Sequence, residues 1–360
     1  MSTFETPVIR VESVENVGDR LQLNRFGEFQ ALSQRGSYNV GDLAVFIGPD
    51  SVLPNELKEI LGVPKNRIKC IKLRGVFSDG LLYRPDGVDL EEGVDMSSEL
   101  GIVKYEQPLG RHKNMFATNI KGSYVKSLMR FDLENGRKYA SGMFDGTDRV
   151  VVTEKLHGSQ AQFVISKTPF PEQEALGYER PWLLITSKGR AKSGFAIRHD
   201  ENNIWSNMAK RLSSEFDEIH EMLKRSDTKE SITFVGEIFG KGVQDMTYGL
   251  EDTEFRVFDV AINGRYVDHW NSVQAISSSF GLITVPVIYC GGFAGFSKHL
   301  TVYGIEEMCE KSEFFPESIM EGFVVRLEDY GSKPAHKTGR NTAKFVGPQY
   351  LTRKGGTEFQ

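Results

Sequence analysis

Arg149-Val-Val-Val-Thr153-Glu154-Lys155-Leu156-His157-Gly158 is a run of β-branched residues that ends in a charged pair and a glycine turn. Three consecutive valines favour a strand buried on both faces, and the glycine marks where it stops. A lysine at that end is held rigidly and faces whatever the turn encloses. Lysine is a nucleophile only when neutral, and from an ordinary pKa near 10.4 its deprotonation at pH 7 costs roughly 4.6 kcal/mol. Cationic neighbours or a metal are needed to depress that pKa. Taken alone, Lys-x-x-Gly is more often an exposed strand end beside an ordinary turn.

Further along the chain, other apolar strands carry charge at their lips. Phe234-Val-Gly-Glu237-Ile-Phe-Gly240 and Met320-Glu321-Gly-Phe-Val-Val-Arg326 each place one carboxylate on an apolar strand. Two such carboxylates suit a divalent cation, or its coordinated waters, beside a triphosphate. Thr186-Ser-Lys188-Gly-Arg190-Ala-Lys192 and His336-Lys337-Thr-Gly-Arg340-Asn-Thr342-Ala-Lys344-Phe345 are basic segments able to grip phosphates. Each, taken singly, is more often a solvated strand end or basic loop. Phe258-Asp259 ends another strand, with core packing the ordinary role for the ring.

The chain has 360 residues, 39% hydrophobic and 26% charged, enough for two domains with sizeable cores. No apolar run reaches the length of a membrane span, and Met1-Ser-Thr-Phe-Glu5 lacks the basic and apolar regions of a signal peptide. Three scattered cysteines, Cys70, Cys290 and Cys309, exclude a disulfide framework and a zinc-ligand spacing, so a reducing cytoplasm is the expected location. The net charge of −5 argues against a uniformly basic nucleic-acid coat; any polyanion must be met by local clusters. No histidine pair has ligand spacing, and no GxxxxGK phosphate loop occurs.

Residues 1–105 read as short strands between turn signals: Pro7–Glu12, Arg20–Leu23, Leu43–Ile47, Arg67–Leu73 and Gly80–Tyr83, with one helix near Pro54–Leu61. That pattern predicts an OB-like β-barrel at 1–105, a linker at 106–125 and a second domain of mixed strands and helices at 126–360. Within it, apolar Ile204, Met208, Leu212, Phe216, Ile219 and Leu223 predict one amphipathic helix over 203–224.

The ordered set carries more than its parts. Nucleophile, basic strand, carboxylate strand, Phe258-Asp259, carboxylate strand and basic strand follow one another across residues 154–344. In this order the chain resembles the covalent nucleotidyltransferases (ATP-dependent DNA ligases, RNA ligases and mRNA capping enzymes), and most of all the ATP-dependent RNA ligases. Lys155-Leu-His157-Gly158 is similar to the RNA-ligase form, as is Phe234–Tyr248 running on to Phe255-Arg-Val-Phe258-Asp259-Val260. The resemblance implies an α+β protein: an N-terminal OB-like β-barrel, then a nucleotidyltransferase (ATP-grasp-like ligase) domain of antiparallel sheets flanked by helices.

The resemblance also implies roles. Lys155 attacks the α-phosphorus of ATP and holds AMP; the AMP passes to an RNA 5′-phosphate, and a 3′-OH displaces it. Glu154 sits by the adenine, Phe258 stacks on it, and His157, Gly158 and Glu237 hold the ribose and phosphates. Glu321, with Glu237, engages Mg2+ or Mn2+, both of which suit oxygen donors. Lys188, Arg326 and Lys344 neutralise phosphate and lower the Lys155 pKa. Two departures stand out: Thr342 falls where the family has the first of two lysines, leaving Arg340 or Lys337 to replace it, and Arg190 competes with Lys188.

The expected substrate is RNA bearing 3′-OH and 5′-phosphate ends, with no membrane and no obligate protein partner, consistent with a monomer. Lys69, Lys72 and Arg74 in the N-terminal domain, and Arg130 amid Arg111, Lys113, Lys121 and Lys126, are the candidate RNA contacts. Only 16 residues follow Lys344, too few for the C-terminal OB domain of DNA ligases and capping enzymes. Those enzymes remain the rivals in class, and a non-catalytic nucleic-acid-binding protein is the rival from another.

Overall fold

The computed structural model describes residues 3–106, 116–117, 133–171, 176–190, 193–336 and 340–356. Contacts divide these into two units, one of residues 3–106 with 348–356, the other ending at Gly347. The last helix, Pro348–Thr352, thus groups with the N-terminal strands, whereas the expected second domain ran to 360.

The N-terminal unit holds β1 (Val8–Arg10), β2 (Ser13–Val17), β3 (Leu21–Phe26), β4 (Phe29–Gln34), β5 (Leu43–Ile47), β6 (Ser51–Val52), a helix at Asn55–Ile60, β7 (Ile71–Leu73), β8 (Val76–Ser78), β9 (Leu81–Tyr83) and β10 (Val103–Lys104). They pair as β1-β5-β9, β2-β3-β4, β7-β8 and β10-β6, every pair antiparallel. Alternation along β5 splits its side chains between two apolar clusters. Val45 and Ile47 join Val8, Leu53, Leu57 and Ile68, while Ala44 and Phe46 join Val11, Phe26, Ala31 and Leu82. The strand expected over 67–73 is split: Arg67 bridges Val52 while its side chain reaches Asp50 (2.5 Å) and lies over the Tyr105 ring, and Ile71–Leu73 pairs separately with β8. Arg74 and Gly75, both at positive φ, close the two-residue turn to β8.

The second unit contains β11 (Phe116–Ala117), β12 (Glu134–Asn135), β13 (Arg149–Lys155), β14 (Ser159–Ser166), β15 (Leu183–Arg190), β16 (Ser193–Ile197), β17 (Ser231–Gly240), β18 (Thr253–Ile262), β19 (Arg265–Tyr266), β20 (Val287–Gly292), β21 (Gly322–Leu327) and β22 (Thr342–Val346). A seven-stranded sheet runs β11-β16-β15-β14-β17-β18-β19, and a five-stranded sheet runs β12-β22-β21-β13-β20. All pairings are antiparallel except β12 with β22. Helices at Gly136–Met143 and Phe293–Met308 cover the outer face of the smaller sheet, where Val150, Val152, Phe323, Val325 and Phe345 form its core. The expected single helix over 203–224 is two, Ile204–Arg211 and Ser213–Lys224, broken where Leu212 turns to ψ 19. Asn203 caps the first by accepting from the Ser206 N–H at 2.6 Å.

One feature of this topology positions the site. The chain leaves the small sheet at Lys155 and enters the large sheet at Ser159, so Leu156-His157-Gly158 is the crossover between them. Gly158 is required there: a Cβ would overlap the Ile238 carbonyl of β17.

Candidate active site

Strand alternation sends Glu154 and Lys155 to opposite faces of the small sheet. Glu154 points to the core side, fully buried, where Ser312 Oγ donates to Oε1 at 2.5 Å and the Phe314 N–H donates to Oε2 at 3.1 Å. Burial pushes its carboxyl above the usual carboxylate range, against the pull of those two donors. Its oxygens are therefore engaged by the 312–314 segment, a placement that the expected adenine contact did not include.

Lys155 points the other way, towards the large sheet. Its ammonium donates to Glu321 Oε1, and Glu237 on β17 acts on it from the facing sheet. Burial alone would lower the Lys155 pKa, but the attraction of Glu321 and Glu237 exceeds it and leaves the amine raised above its ordinary value. Among the described residues, the groups that act on the amine are these two carboxylates, and they favour its protonated form. The reason is topological. Lys155 lies directly across from Gly322, one residue from Glu321, at the lip where β13 and β21 meet the crossover.

His157 is 2% exposed. Its Nε2 lies 2.8 Å from Asp245 Oδ1 and its Nδ1 3.8 Å from Glu321 Oε2, while its backbone N–H donates to Tyr248 Oη at 2.7 Å. Gln244 Nε2 donates to the Gly158 carbonyl. Tyr248, Phe239 and Phe314 pack edge to face behind this turn.

Phe258 owes its position to a bulge. Val235 pairs with Asp259 but Gly236 pairs with Val257, so Phe258 is the extra residue of β18 and its half-buried ring is re-aimed. Arg326 Nη1 donates to its carbonyl at 2.7 Å. Arg326 is expected at phosphate, yet it is 1% exposed, lies over the Trp270 ring at 4.8 Å, and shares Asp259 (3.8 Å) with Arg340 (2.6 Å). Here its charge is matched by a buried carboxylate on the opposite sheet. Arg340 in turn stacks on Tyr266 at 4.0 Å. Lys344 pairs with Val324, which pairs with Thr153, so it shares the face of Lys155; Thr342 is buried across from Arg326.

The structure therefore brings Lys155, His157, Glu237 and Glu321 together, with Lys344 on the Lys155 face of the small sheet. It ties Glu154 and Arg326 to other partners. Lys188 and Arg190 lie on β15, but their side chains, like all of Lys337 and the Arg111–Phe131 cluster with Arg130, fall outside the described residues. Asp245, Tyr248 and Ser312 hold the site without having been singled out in sequence. Lys69, Lys72 and Arg74 are exposed on the other unit, with Lys72 Nζ 4.3 Å from the Phe77 ring centre.

Among the described residues no group of three or more His, Cys, Asp or Glu could hold a metal by itself. Glu237 and Glu321 nevertheless fit a hydrated Mg2+ or Mn2+, which takes one or two carboxylates and completes its shell with water and phosphate oxygens.

Two sheets, antiparallel but for the β12–β22 edge, joined by a turn that follows the lysine, with carboxylates converging on the amine, define a nucleotidyltransferase-type ligase fold. A family model described as RNA ligase matches residues 148–346, more than half of the chain, and the protein belongs to that family. Among solved structures, a ligand-free RNA ligase of Naegleria gruberi is 18% identical with a TM-score of 0.70, covering 96% of each chain. The same protein solved with ATP and Mn gives 17% and 0.68, covering 96% of this chain and 97% of that one; solved with PPi it gives 17% and 0.69 at the same coverage. At this identity the likeness is one of fold, and it spans both units. No curated protein matches the chain significantly in sequence. Among the described residues no helix is long and apolar enough to cross a membrane.

Proposed function

We propose that the protein is an ATP-dependent RNA ligase that seals 3′-OH and 5′-phosphate ends through a lysyl-AMP intermediate. The observation that carries this reading is the Lys155 amine at the sheet crossover, faced by Glu321 and Glu237 in a chain of the RNA ligase family. Lys155 Nζ attacks the α-phosphorus of ATP and pyrophosphate leaves, giving a phosphoramidate. The RNA 5′-phosphate then takes the AMP, and the 3′-OH displaces it to form the phosphodiester.

Each residue's part follows from its place. Glu321 and Glu237 hold the ammonium in line before the nucleotide arrives. These two carboxylates would hold Mg2+ or Mn2+, which would supply charge neutralisation beside the amine. Phe258 stacks on the adenine, Lys344 meets phosphate from the Lys155 face, and His157 with Gly158 shapes the ribose side. Lys188, or Arg190 beside it, adds a second phosphate contact. Gly158 lets the crossover pass close against β17. Lys69, Lys72 and Arg74, exposed on the small β-unit, engage the RNA backbone, and Arg130 is a further candidate contact. Family likeness to proteins solved with ATP and Mn supports the choice of nucleotide and metal.

Incubation with α-labelled ATP and metal tests the reading. Label is expected on Lys155, to be lost with Lys155→Ala and to be chased onto 5′-phosphorylated RNA. Label from GTP instead would point to capping chemistry, preference for nicked DNA would point to a DNA ligase, and strand sealing by Lys155→Ala would leave only a binding role for this site.

A further inference from the structure

Three turns of the N-terminal unit meet at one end of the β2-β3-β4 sheet. The β3–β4 pairing ends with Leu21 opposite Gln34, and one step beyond it the Arg35 N–H donates to the Arg20 carbonyl at 2.9 Å. Two arginines thus stand across from each other where the strands end, an arrangement that like charges disfavour. The β7–β8 turn brings a third. Gly18, between β2 and β3, has φ +64, and a Cβ there would overlap Arg74 Nη1. The Arg74 guanidinium therefore rests on bare backbone two residues from Arg20. Arg20, Arg35 and Arg74 are all exposed.

Charge pairing sets these three apart. Of the arginines in residues 3–106, Arg10 meets Glu92, Arg25 meets Glu15, Arg67 meets Asp50 and Arg84 meets Asp42. The others are Arg20, Arg35 and Arg74, and among the described residues none of them has an ion pair. Asp19, the one carboxylate in these turns, meets none of them. In a chain of net charge −5, the unpaired cations are gathered at one place rather than spread. A guanidinium keeps its charge at any working pH, and its planar fork matches phosphate oxygens.

We propose that Arg20, Arg35 and Arg74 form a phosphodiester-binding cluster that holds the backbone of single-stranded RNA, with Gly18 as the seat of Arg74. The choice of RNA as the polyanion rests on the RNA ligase reading; the cluster adds Arg20, Arg35 and Gly18 to the contacts that reading names. Contacts to phosphate position a strand without reading its bases, so the cluster takes RNA of any sequence.

Fluorescence anisotropy of the full chain with labelled oligo(U) and oligo(A), over a salt series and without ATP, tests this. Arg20→Gln and Arg35→Gln should each shrink the slope of log affinity against log salt by about 0.7, equally for both RNAs. Arg25→Gln removes the same charge from a paired site and should leave the slope as it is. Gly18→Ala keeps every charge but unseats Arg74, so the affinity it loses should not be lost again in an Arg74→Gln background. Should Gly18→Ala not fold, the glutamine variants decide alone. Parental slopes in Arg20→Gln and Arg35→Gln, an equal effect of Arg25→Gln, or a loss confined to one of the two RNAs would overturn the proposal. So would a parent protein that does not bind RNA. A protein that binds RNA through these arginines yet never forms lysyl-AMP sinks the ligase reading and leaves the cluster standing.

Discussion

Lys155 Nζ donates to Glu321 Oε1 where β13 and β21 end side by side, so the nucleophile is stored as one half of an ion pair. Its pKa is raised, and a raised lysine stays protonated through neutral pH, losing its proton only as pH climbs past the elevated value. Glu321→Gln removes the partner charge and should lower the Lys155 pKa. Acetic anhydride labelling at pH 8, read by mass spectrometry, is then expected to acetylate Lys155 several-fold faster than in the parent. Equal rates would show that the pair does not control the amine. In the ligase assay the same change should still impair lysyl-AMP formation, because the metal loses a ligand.

Arg326 stitches the two sheets together through Asp259 and the Phe258 carbonyl. Arg326→Met keeps the stem over Trp270 but strips Asp259 of one of its two cations. Breaking a buried pair on one side costs about 3–5 kcal/mol, so the thermal midpoint should drop by several degrees. The KM for ATP should rise alongside it as Phe258 loses its anchor. A variant as stable as the parent would place the guanidinium outside the fold's essential contacts.

Gly158→Ala should be costly despite its small size. The added methyl meets the β17 backbone at Ile238 and the Glu237 stem, neither of which can retreat cheaply. Overpacking of this kind costs about 1–3 kcal/mol, and lysyl-AMP formation should fall by more than the loss of stability explains. Denaturant unfolding and adenylylation measured on the same preparation separate the two effects.

On the N-terminal unit, Lys69→Ala, Lys72→Ala and Arg74→Ala should weaken RNA binding while leaving lysyl-AMP formation from ATP alone at the parental rate. If each contacts a phosphate of single-stranded RNA, the slope of log affinity against log salt should shrink by about 0.7 per residue. Lys72 also covers the Phe77 ring, so its substitution carries a small stability change as well. Unchanged binding and slope would remove this hairpin from the RNA surface.

Much of this was legible in the chain because strand ends announce themselves: valine runs, a following glycine and a charge between them locate Lys155, Glu237 and Glu321 without coordinates. What escaped depends on pairings far apart in sequence. Asp245 stands 88 residues from His157, and nothing local to Gln244-Asp245-Met246 tells that it reaches back to the turn. Arg326 closes an apolar strand and reads as exposed; only the opposite sheet reveals the carboxylate and indole that take it inside. Periodicity continued through Leu212 because a helix broken for one residue keeps nearly the same apolar face.

The crossover at Leu156–Gly158 has a mechanical corollary. The three residues that splice one sheet to the other adjoin the reactive amine and include the imidazole beside it. Any spreading of the sheets to admit a nucleotide must therefore drag the nucleophile along, and any tightening around that nucleotide must press the amine home. Substrate entry and aim are thereby geared together in a single short piece of backbone.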